Sequence, residues 1–334
     1  MPLDLLARPL RALRVSVTDR CNFRCPYCMP RGGVSDKLEP LSYKDILSFE
    51  EILQLVGIFV GLGVTKVRLT GGEPLLRDDL TQLIAGLKQI PGLRDIAMTT
   101  NGSLLGTVVV PLKQSGLTRL TISLNSLNSN RFQASSDSSV PLNKVLDAIE
   151  AAKAVGFKDI KLNCVLRRGI NESDIIPLAA FARDNGYTVR FIEFMDVGTR
   201  NHWCLDSVVP AGEVSAIISK QWPAERIWKN DTNCVAQHWR YNDGVGEFGL
   251  IASVTEPFCA NCDRARLSAD GCLYTCLFAS NSLNLKKLMR GGMSTGDLSA
   301  TIEARWRRRS DRYSEMRSKQ TVGLPRAEMF HLGG

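Results

Sequence analysis

Three cysteines stand within eight residues in Cys21-Asn22-Phe23-Arg24-Cys25-Pro26-Tyr27-Cys28, a C-x3-C-x2-C spacing. Iron–sulfur clusters are held by cysteine thiolates, four for a cubane. Three thiolates from one short loop would bind three irons and leave the fourth open to a substrate or cofactor, as catalytic metal sites keep a position open. The competing chemistry is a structural zinc site. Zinc takes four ligands, commonly from paired C-x2-C knuckles, and here one knuckle stands without a nearby histidine. Scattered core cysteines are the remaining alternative, but three so close, with Arg24, Pro26 and Tyr27 between them, do not resemble packing.

A second set lies near the C-terminus: Cys259, Cys262, Cys272 and Cys276. All four would make a zinc ribbon; Cys259, Cys262 and Cys276 alone would make a second three-cysteine cluster. Asp270-Gly271 is a strong turn signal, and its flanks suggest a hairpin. If residues 272–276 form one extended strand, its ends lie about 13 Å apart, too far for thiolates that each approach one zinc to about 2.3 Å. Geometry therefore favours the three-cysteine cluster, with Cys272 free.

These loops need a scaffold. Strand-like runs at 13–18, 66–70, 96–100, 120–124, 160–166 and 189–195 alternate with helical patterns such as Leu80, Leu83, Ile84, Leu87 and Leu142, Val145, Leu146, Ile149. Such alternation predicts parallel strands joined by crossovers. Six units are too few for a closed eight-stranded barrel. Catalytic groups in barrel-like folds sit at the C-terminal strand ends, where the first cysteine loop and Gly71-Gly72-Glu73-Pro74 both fall. Adjacent glycines allow close backbone approach to a ligand. After a linker near 201–210 and a helix at 212–219, strand-like stretches at 235–241 and 248–254 precede the second cysteine set. This texture predicts a division into residues 1–220 and 221–334.

At 334 residues the chain can bury a full core, and its +8 formal charge favours an anionic partner. No apolar run reaches membrane-spanning length and no signal peptide opens the chain, so ten cysteines read as metal-binding rather than disulfide-forming. An oxygen-sensitive cluster would place the protein in the cytoplasm. Arg305, Arg307, Arg308, Arg309 and Arg312 crowd near the C-terminus, but without a nucleic-acid motif they read as a solvated helix end. His202, His238 and His331 match no catalytic motif.

The cysteine loop followed one strand later by Gly71-Gly72-Glu73-Pro74 resembles the radical S-adenosylmethionine (SAM) superfamily. The C-x2-C-x13-C set, together with Arg14-Val15-Ser16-Val17-Thr18-Asp19-Arg20-Cys21, Val67-Arg68-Leu69-Thr70, Thr99-Thr100-Asn101-Gly102, the segment Arg190 to Gly198, Thr255-Glu256-Pro257-Phe258 and the closing Gly333-Gly334, resembles its GTP 3′,8-cyclase family. That family makes the first intermediate of molybdenum cofactor biosynthesis.

The resemblance implies a partial (β/α)6 TIM-like barrel with a C-terminal α+β domain. It implies two 4Fe–4S clusters, the first on Cys21, Cys25 and Cys28 with SAM, the second on Cys259, Cys262 and Cys276. It implies SAM contacts from Tyr27, Gly72, Ser123 and Met195, and GTP contacts from Arg14, Arg68, Thr99, Lys161, Arg264, Ala265 and Arg266. Lys66 and Arg190 are further phosphate candidates. Arg14, Arg266 and the tail glycines Gly333 and Gly334 are the implied catalytic group. A 5′-deoxyadenosyl radical would take the ribose 3′ hydrogen, and the sugar radical would attack C8 of guanine. A flavodoxin or ferredoxin would supply electrons, cyclic pyranopterin monophosphate synthase would take the product, and the chain would dimerise; nucleic acid and membrane are not expected partners.

Two departures stand out: Asn125 where the family has Asp, and Cys272 at a variable position. The competing functions are another radical SAM enzyme with an auxiliary cluster, such as a peptide maturase, and a non-catalytic metal-binding module.

Overall fold

The computed structural model describes residues 1–31, 39–228, 235–317 and 326–333. Gly334 lies outside the described residues.

Six parallel strands form the centre: β1 (Ala12–Ser16), β2 (Lys66–Thr70), β3 (Asp95–Thr100), β4 (Arg119–Ser123), β5 (Lys161–Leu166) and β6 (Thr188–Glu193). Between them run the helices α1 (Phe49–Gly61), α2 (Leu80–Lys88), α3 (Leu105–Ser115), α4 (Ser129–Ser136), α5 (Leu142–Ala154) and α6 (Ile175–Asn185). Local signals fix several ends. Ser48 and Glu51 close a reciprocal capping box on α1, and Gly116 and Gly186 end α3 and α6 in the left-handed conformation that glycine adopts without strain.

The rest of the chain extends the same sheet at both edges. After α7 (Ala211–Gln221), β7 (Ala224–Ile227), β8 (Gln237–Tyr241) and β9 (Glu247–Ile251) join beside β6, while β10 (Arg264–Leu267), β11 (Cys272–Tyr274) and β12 (Leu283–Asn284) join beside β1. Both β9 and β10 run parallel to their central neighbours, so eight adjacent strands are parallel. The sheet is open, with β12 and β7 as its edges. Helices α8 (Leu285–Arg290), α9 (Thr295–Arg307) and α10 (Met329–Leu332) complete the chain.

Alternation along each strand separates two faces. Leu13, Val15, Val67, Leu69, Ile96, Met98, Leu120, Ile122, Leu162, Cys164, Val189 and Phe191 are buried in one apolar core. The opposite face carries Arg14, Arg68, Thr99, Thr121, Asn163 and Arg190. Parallel sheets are ordinarily apolar on both faces; a second face lined with arginines, threonines and asparagine is one that meets a polar ligand rather than a second core.

Three expectations change. The strands expected to reach Thr18 and Met195 stop at Ser16 and Glu193, because the chain must leave the ladder to form the ligand-facing loops. The run expected to be extended from 272 to 276 is a strand only as far as Tyr274. Arg309 is not part of a solvated helix end. It is 4% exposed and lies against Asp4 and the second cysteine set. Among the described residues no helix is long and apolar enough to cross a membrane.

Candidate functional site

Register gathers the arginines. Arg14 on β1 stands opposite Arg266 of β10 on one side and Arg68 of β2 on the other. Arg264 lies two residues before Arg266 on the same face. Across the sheet, Arg68 donates from Nη1 to Thr99 Oγ1 at 3.1 Å and Thr121 Oγ1 at 3.0 Å. From the other direction Arg190 donates to Thr121 Oγ1 at 3.2 Å and Asn163 Oδ1 at 3.0 Å. Gly249 of β9 makes room for Arg190: a Cβ there would lie 2.9 Å from the arginine Cγ.

The electrostatic consequence is a crowded cationic floor. Burial, then Arg266, Arg264, Arg68 and Arg190, drives the Arg14 pKa well down. Burial and the neighbouring arginines Arg190 and Arg119 bring Arg68 to about 9, and burial with Arg264 brings Arg266 to about 10. At about 9 and about 10, Arg68 and Arg266 stay protonated near neutrality, and an anion would relieve the repulsion among these groups. Lys161 is less available, because its ammonium pairs with Asp159. Ala265 points away into the apolar core, leaving only its backbone toward the site.

The first cysteine loop lies at the C-terminal end of β1. Burial raises Cys21 to about 11 and Cys25 to about 12; burial and then Cys25 and Cys21 raise Cys28 further. Three half-buried thiols whose thiolates are disfavoured where they stand suit a positively charged cluster. The loop is braced by Gly72, whose Cβ position would fall 2.2 Å from Arg20 O, so no larger residue fits. Glu73 then turns inward, accepting from Thr100 Oγ1 and Asn101 N, both at 2.7 Å. Its carboxyl is pushed up to about 7 by burial.

Asn201 draws two implied SAM contacts together, donating from Nδ2 to Met195 O at 2.8 Å and Tyr27 O at 3.5 Å. Asn125 accepts from Val165 N at 2.9 Å and donates to Tyr27 Oη at 3.3 Å. An amide can do both, whereas a carboxylate could only accept. Ser123 stands at the C-terminal end of β4, in register with Asn163.

In the second set Cys262 N donates to Cys259 O at 3.2 Å within one turn. Burial pushes the Cys262 thiol up, but Arg264 and Arg309 outweigh it and leave it at about 6. Burial raises Cys276 to about 11, with smaller upward pushes from Asp311 and Cys262. Cys272 is turned aside, its Sγ 3.5 Å from Asp270 Oδ2. Among the described residues no three His, Cys, Asp or Glu side chains converge as ligands of a single ion do. A cubane distributes its thiolates over different irons, so its ligands surround a volume rather than a point.

The tail closes the site. Arg266 Nη1 donates to Gly333 O at 2.7 Å, and a Cβ on Gly333 would lie 1.8 Å from Thr70 Oγ1 at a φ of +70°.

Residues 15–182 match the family model of the Radical SAM superfamily, and residues 187–315 match that of Molybdenum Cofactor Synthesis C. The GTP 3′,8-cyclase of Acidothermus cellulolyticus is 49% identical over 96% of this chain and 90% of its own length. The chain belongs to the GTP 3′,8-cyclase family. A second member, from Xanthomonas axonopodis pv. citri, is 46% identical over 99% of this chain and 98% of its own. The crystal structure of Streptococcus suis SuiB bound to S-adenosylmethionine shares the fold, with a TM-score of 0.59 at 15% identity over 95% of this chain and 72% of that one.

Membership of the radical SAM superfamily brings a 4Fe–4S cluster and SAM, and the three half-buried thiols of the first loop suit that cluster. The sequence gives no role to Glu73, Asn201, Asp4, Arg8 or Arg309. Arg8 donates from Nη1 to Cys259 O at 2.8 Å and from Nε to Asp4 Oδ2 at 2.6 Å. Arg309 Nη1 reaches Cys262 O at 2.6 Å and Asp4 Oδ2 at 3.2 Å. Only the four-residue spacing of Asp4 and Arg8 hinted at a pair; its partners lie about 250 to 300 positions away.

Proposed function

We propose that this chain converts GTP to (8S)-3′,8-cyclo-7,8-dihydroguanosine 5′-triphosphate, the first step of molybdenum cofactor biosynthesis. The observation that carries the reading to a triphosphate is the clustered, partly buried arginine group on β1, β2, β6 and β10, gathered by strand register, whose mutual repulsion a polyanion relieves.

Cys21, Cys25 and Cys28 hold the first cluster; Tyr27, Gly72, Ser123 and Met195 bind SAM beside it. Cys259, Cys262 and Cys276 hold a second cluster, toward which Arg264 is already aimed, its Nη2 lying 3.7 Å from Cys262 Sγ. When bound, the first cluster and SAM supply the 5′-deoxyadenosyl radical that abstracts hydrogen from ribose C3′. Arg14, Arg68, Arg264 and Arg266 orient the triphosphate and sugar, with Thr99, Lys161 and the backbone of Ala265 completing the GTP site. The tail, held through Gly333, covers the reacting sugar and keeps water away; the catalytic role of Gly334 falls outside the described residues. Residues 1–220 form the SAM-binding part and 221–334 carry the second cluster, and both parts contribute side chains to the GTP site.

The chain works as a cytoplasmic homodimer, takes electrons from a flavodoxin or ferredoxin, and passes its product to cyclic pyranopterin monophosphate synthase. The test is anaerobic reconstitution with iron and sulfide, followed by SAM, GTP and dithionite, with both products measured by mass spectrometry. GTP-dependent formation of 5′-deoxyadenosine and cyclised GTP is expected. SAM cleavage without GTP conversion would overturn the substrate, and no SAM cleavage by iron-loaded protein would overturn the reaction class.

A further inference from the structure

Three segments of the chain meet at one carboxylate. Asp196, three residues beyond the end of β6, is 3% exposed. Its Oδ2 accepts from Tyr313 Oη at 2.5 Å and Arg326 Nη1 at 3.0 Å, and its Oδ1 accepts from Arg317 Nε at 2.9 Å. Arg326 Nη1 also donates to the Asp196 carbonyl at 2.6 Å. Both guanidinium groups are themselves buried, and that of Arg326 lies 4.2 Å from the centroid of the Tyr313 ring. Asp196 thus receives one arginine from the chain after α9 and another from the segment leading into α10.

The connection continues in both directions. On the SAM side, Asn201 holds the carbonyls of Met195 and Val197 and reaches that of Tyr27. On the tail side, Glu328 Oε1 accepts from Thr199 Oγ1 at 2.9 Å and Thr199 N at 3.2 Å. One helical turn beyond Glu328 the tail delivers Gly333 to Arg266. Buried charges are tolerated when paired and hydrogen-bonded. Removing the carboxylate would leave two buried guanidinium groups without that partner, so the arrangement of the 195–201 segment and the docking of the tail share one equilibrium.

We propose that Asp196 is a positioning residue that couples the SAM-side segment 195–201 to the C-terminal tail, so that Gly333 meets Arg266 only when that segment is in place. This rests on the proposed function for the roles of Met195 and the tail. Asp196 contacts no reacting atom in this scheme; it acts through Arg317 and Arg326.

The test compares Asp196→Asn, which keeps the shape and removes the charge, with Arg326→Ala, which removes only the tail's arm. The reconstituted full-length proteins are assayed for iron content, 5′-deoxyadenosine, cyclised GTP and hydrogen exchange of residues 326–333. Both variants are expected to keep their iron, to continue cleaving SAM, and to exchange faster in the tail. The ratio of cyclised GTP to 5′-deoxyadenosine should fall roughly tenfold to a hundredfold, the scale of misplacing a group near the reacting centre. Deleting Gly333-Gly334 should give the same fall, and adding Asp196→Asn to that deletion should add little, since both changes remove one coupled element.

An unchanged ratio with a protected tail in Arg326→Ala would overturn the proposal. So would equal losses of both products, which mark general destabilisation, or multiplicative losses in the double variant. Wild-type protein that cleaves SAM without converting GTP would instead overturn the proposed function, and tail exchange in the variants would still judge the coupling.

Discussion

Arg266 and Gly333 are sixty-seven positions apart, yet the arginine Nη1 donates to the glycine carbonyl at 2.7 Å. The same guanidinium lies on the strand beside Arg14, so Gly333 is held against the cationic floor. Arg266→Ala should therefore keep both sets of cluster cysteines intact while cyclisation falls by about a hundredfold or more. Arg266→Lys should recover only part of this, because an ammonium lacks the planar fork of a guanidinium. Iron content and mass-spectrometric yield of cyclised GTP check both; normal turnover with unchanged GTP affinity in Arg266→Ala would remove Arg266 from the site.

Gly333→Ala isolates the tail's fit. The added methyl would meet Thr70 Oγ1 at 1.8 Å, and the positive φ adds a cost of about 1 kcal/mol. Cyclisation should fall while the unfolding midpoint stays near wild type, because the contact lies at the end of the chain. Gly169→Ala, at φ +75° with nothing within 4 Å, is the control: a similar backbone penalty with activity retained.

Gly72→Ala acts on the first cysteine loop. Its methyl would lie 2.2 Å from Arg20 O and 2.9 Å from Asp19 O, forcing apart the two loops that meet there. Iron and sulfide bound to the first cluster should fall by about half or more, whereas a Cys259→Ala protein retains that cluster. Electron paramagnetic resonance with and without SAM distinguishes them. Full iron loading in Gly72→Ala would show that the loops yield.

Tail docking should depend on pH through His331, whose Nε2 lies 3.4 Å from Asp270 Oδ1. The hydrogen bond to Asp270 raises the imidazole pKa above its ordinary value, against burial and with help from the charges of Asp270 and Asp19. A raised docked pKa means that docking is strengthened fully below the undocked value of about 6.5, and that the contribution is lost as pH rises through the docked value. Hydrogen exchange of residues 326–333, corrected for intrinsic rates, should lose protection across that interval in wild type. His331→Gln should remove the dependence, and a flat wild-type profile would exclude it.

Asp4 carries a stability prediction. Its side chain is fully buried between Arg8 and Arg309, at 2.6 and 3.2 Å. Asp4→Asn leaves buried Arg8 without its carboxylate and Arg309 with only Asp311, 3.5 Å from its Nε, and should cost about 3–5 kcal/mol in denaturant unfolding. Because the same arginines hold the carbonyls of Cys259 and Cys262, iron at the second set should fall in parallel. A loss below about 1 kcal/mol would show that the arginines find other partners.

The cysteine sets, the Gly-Gly turn after the second strand and the 270–271 hairpin were legible in the chain because each depends on neighbours a few positions apart. Spacing alone restricts which thiols share a loop, and period-two alternation determines which strand residues face together. The limits of the strands were less legible. The apolar pattern runs on through Val17 and Phe194, but the backbone leaves the ladder earlier to shape the loops.

What only the tertiary structure decided is which distant groups become partners. Strand β10 lies beside β1 rather than beside β9, which brings Arg266 against Arg14. Arg309 is an interior cation rather than the end of an exposed helix because Asp4, some three hundred positions away, occupies the space beside it. Asp196 was one residue of a recognisable segment, without a role, until Arg317 and Arg326 were seen to converge on it. A sequence reveals residue types and local periodicity; the pairing of buried charges depends on how the whole sheet closes its core around them, since each must find its counter-charge wherever the packing leaves one.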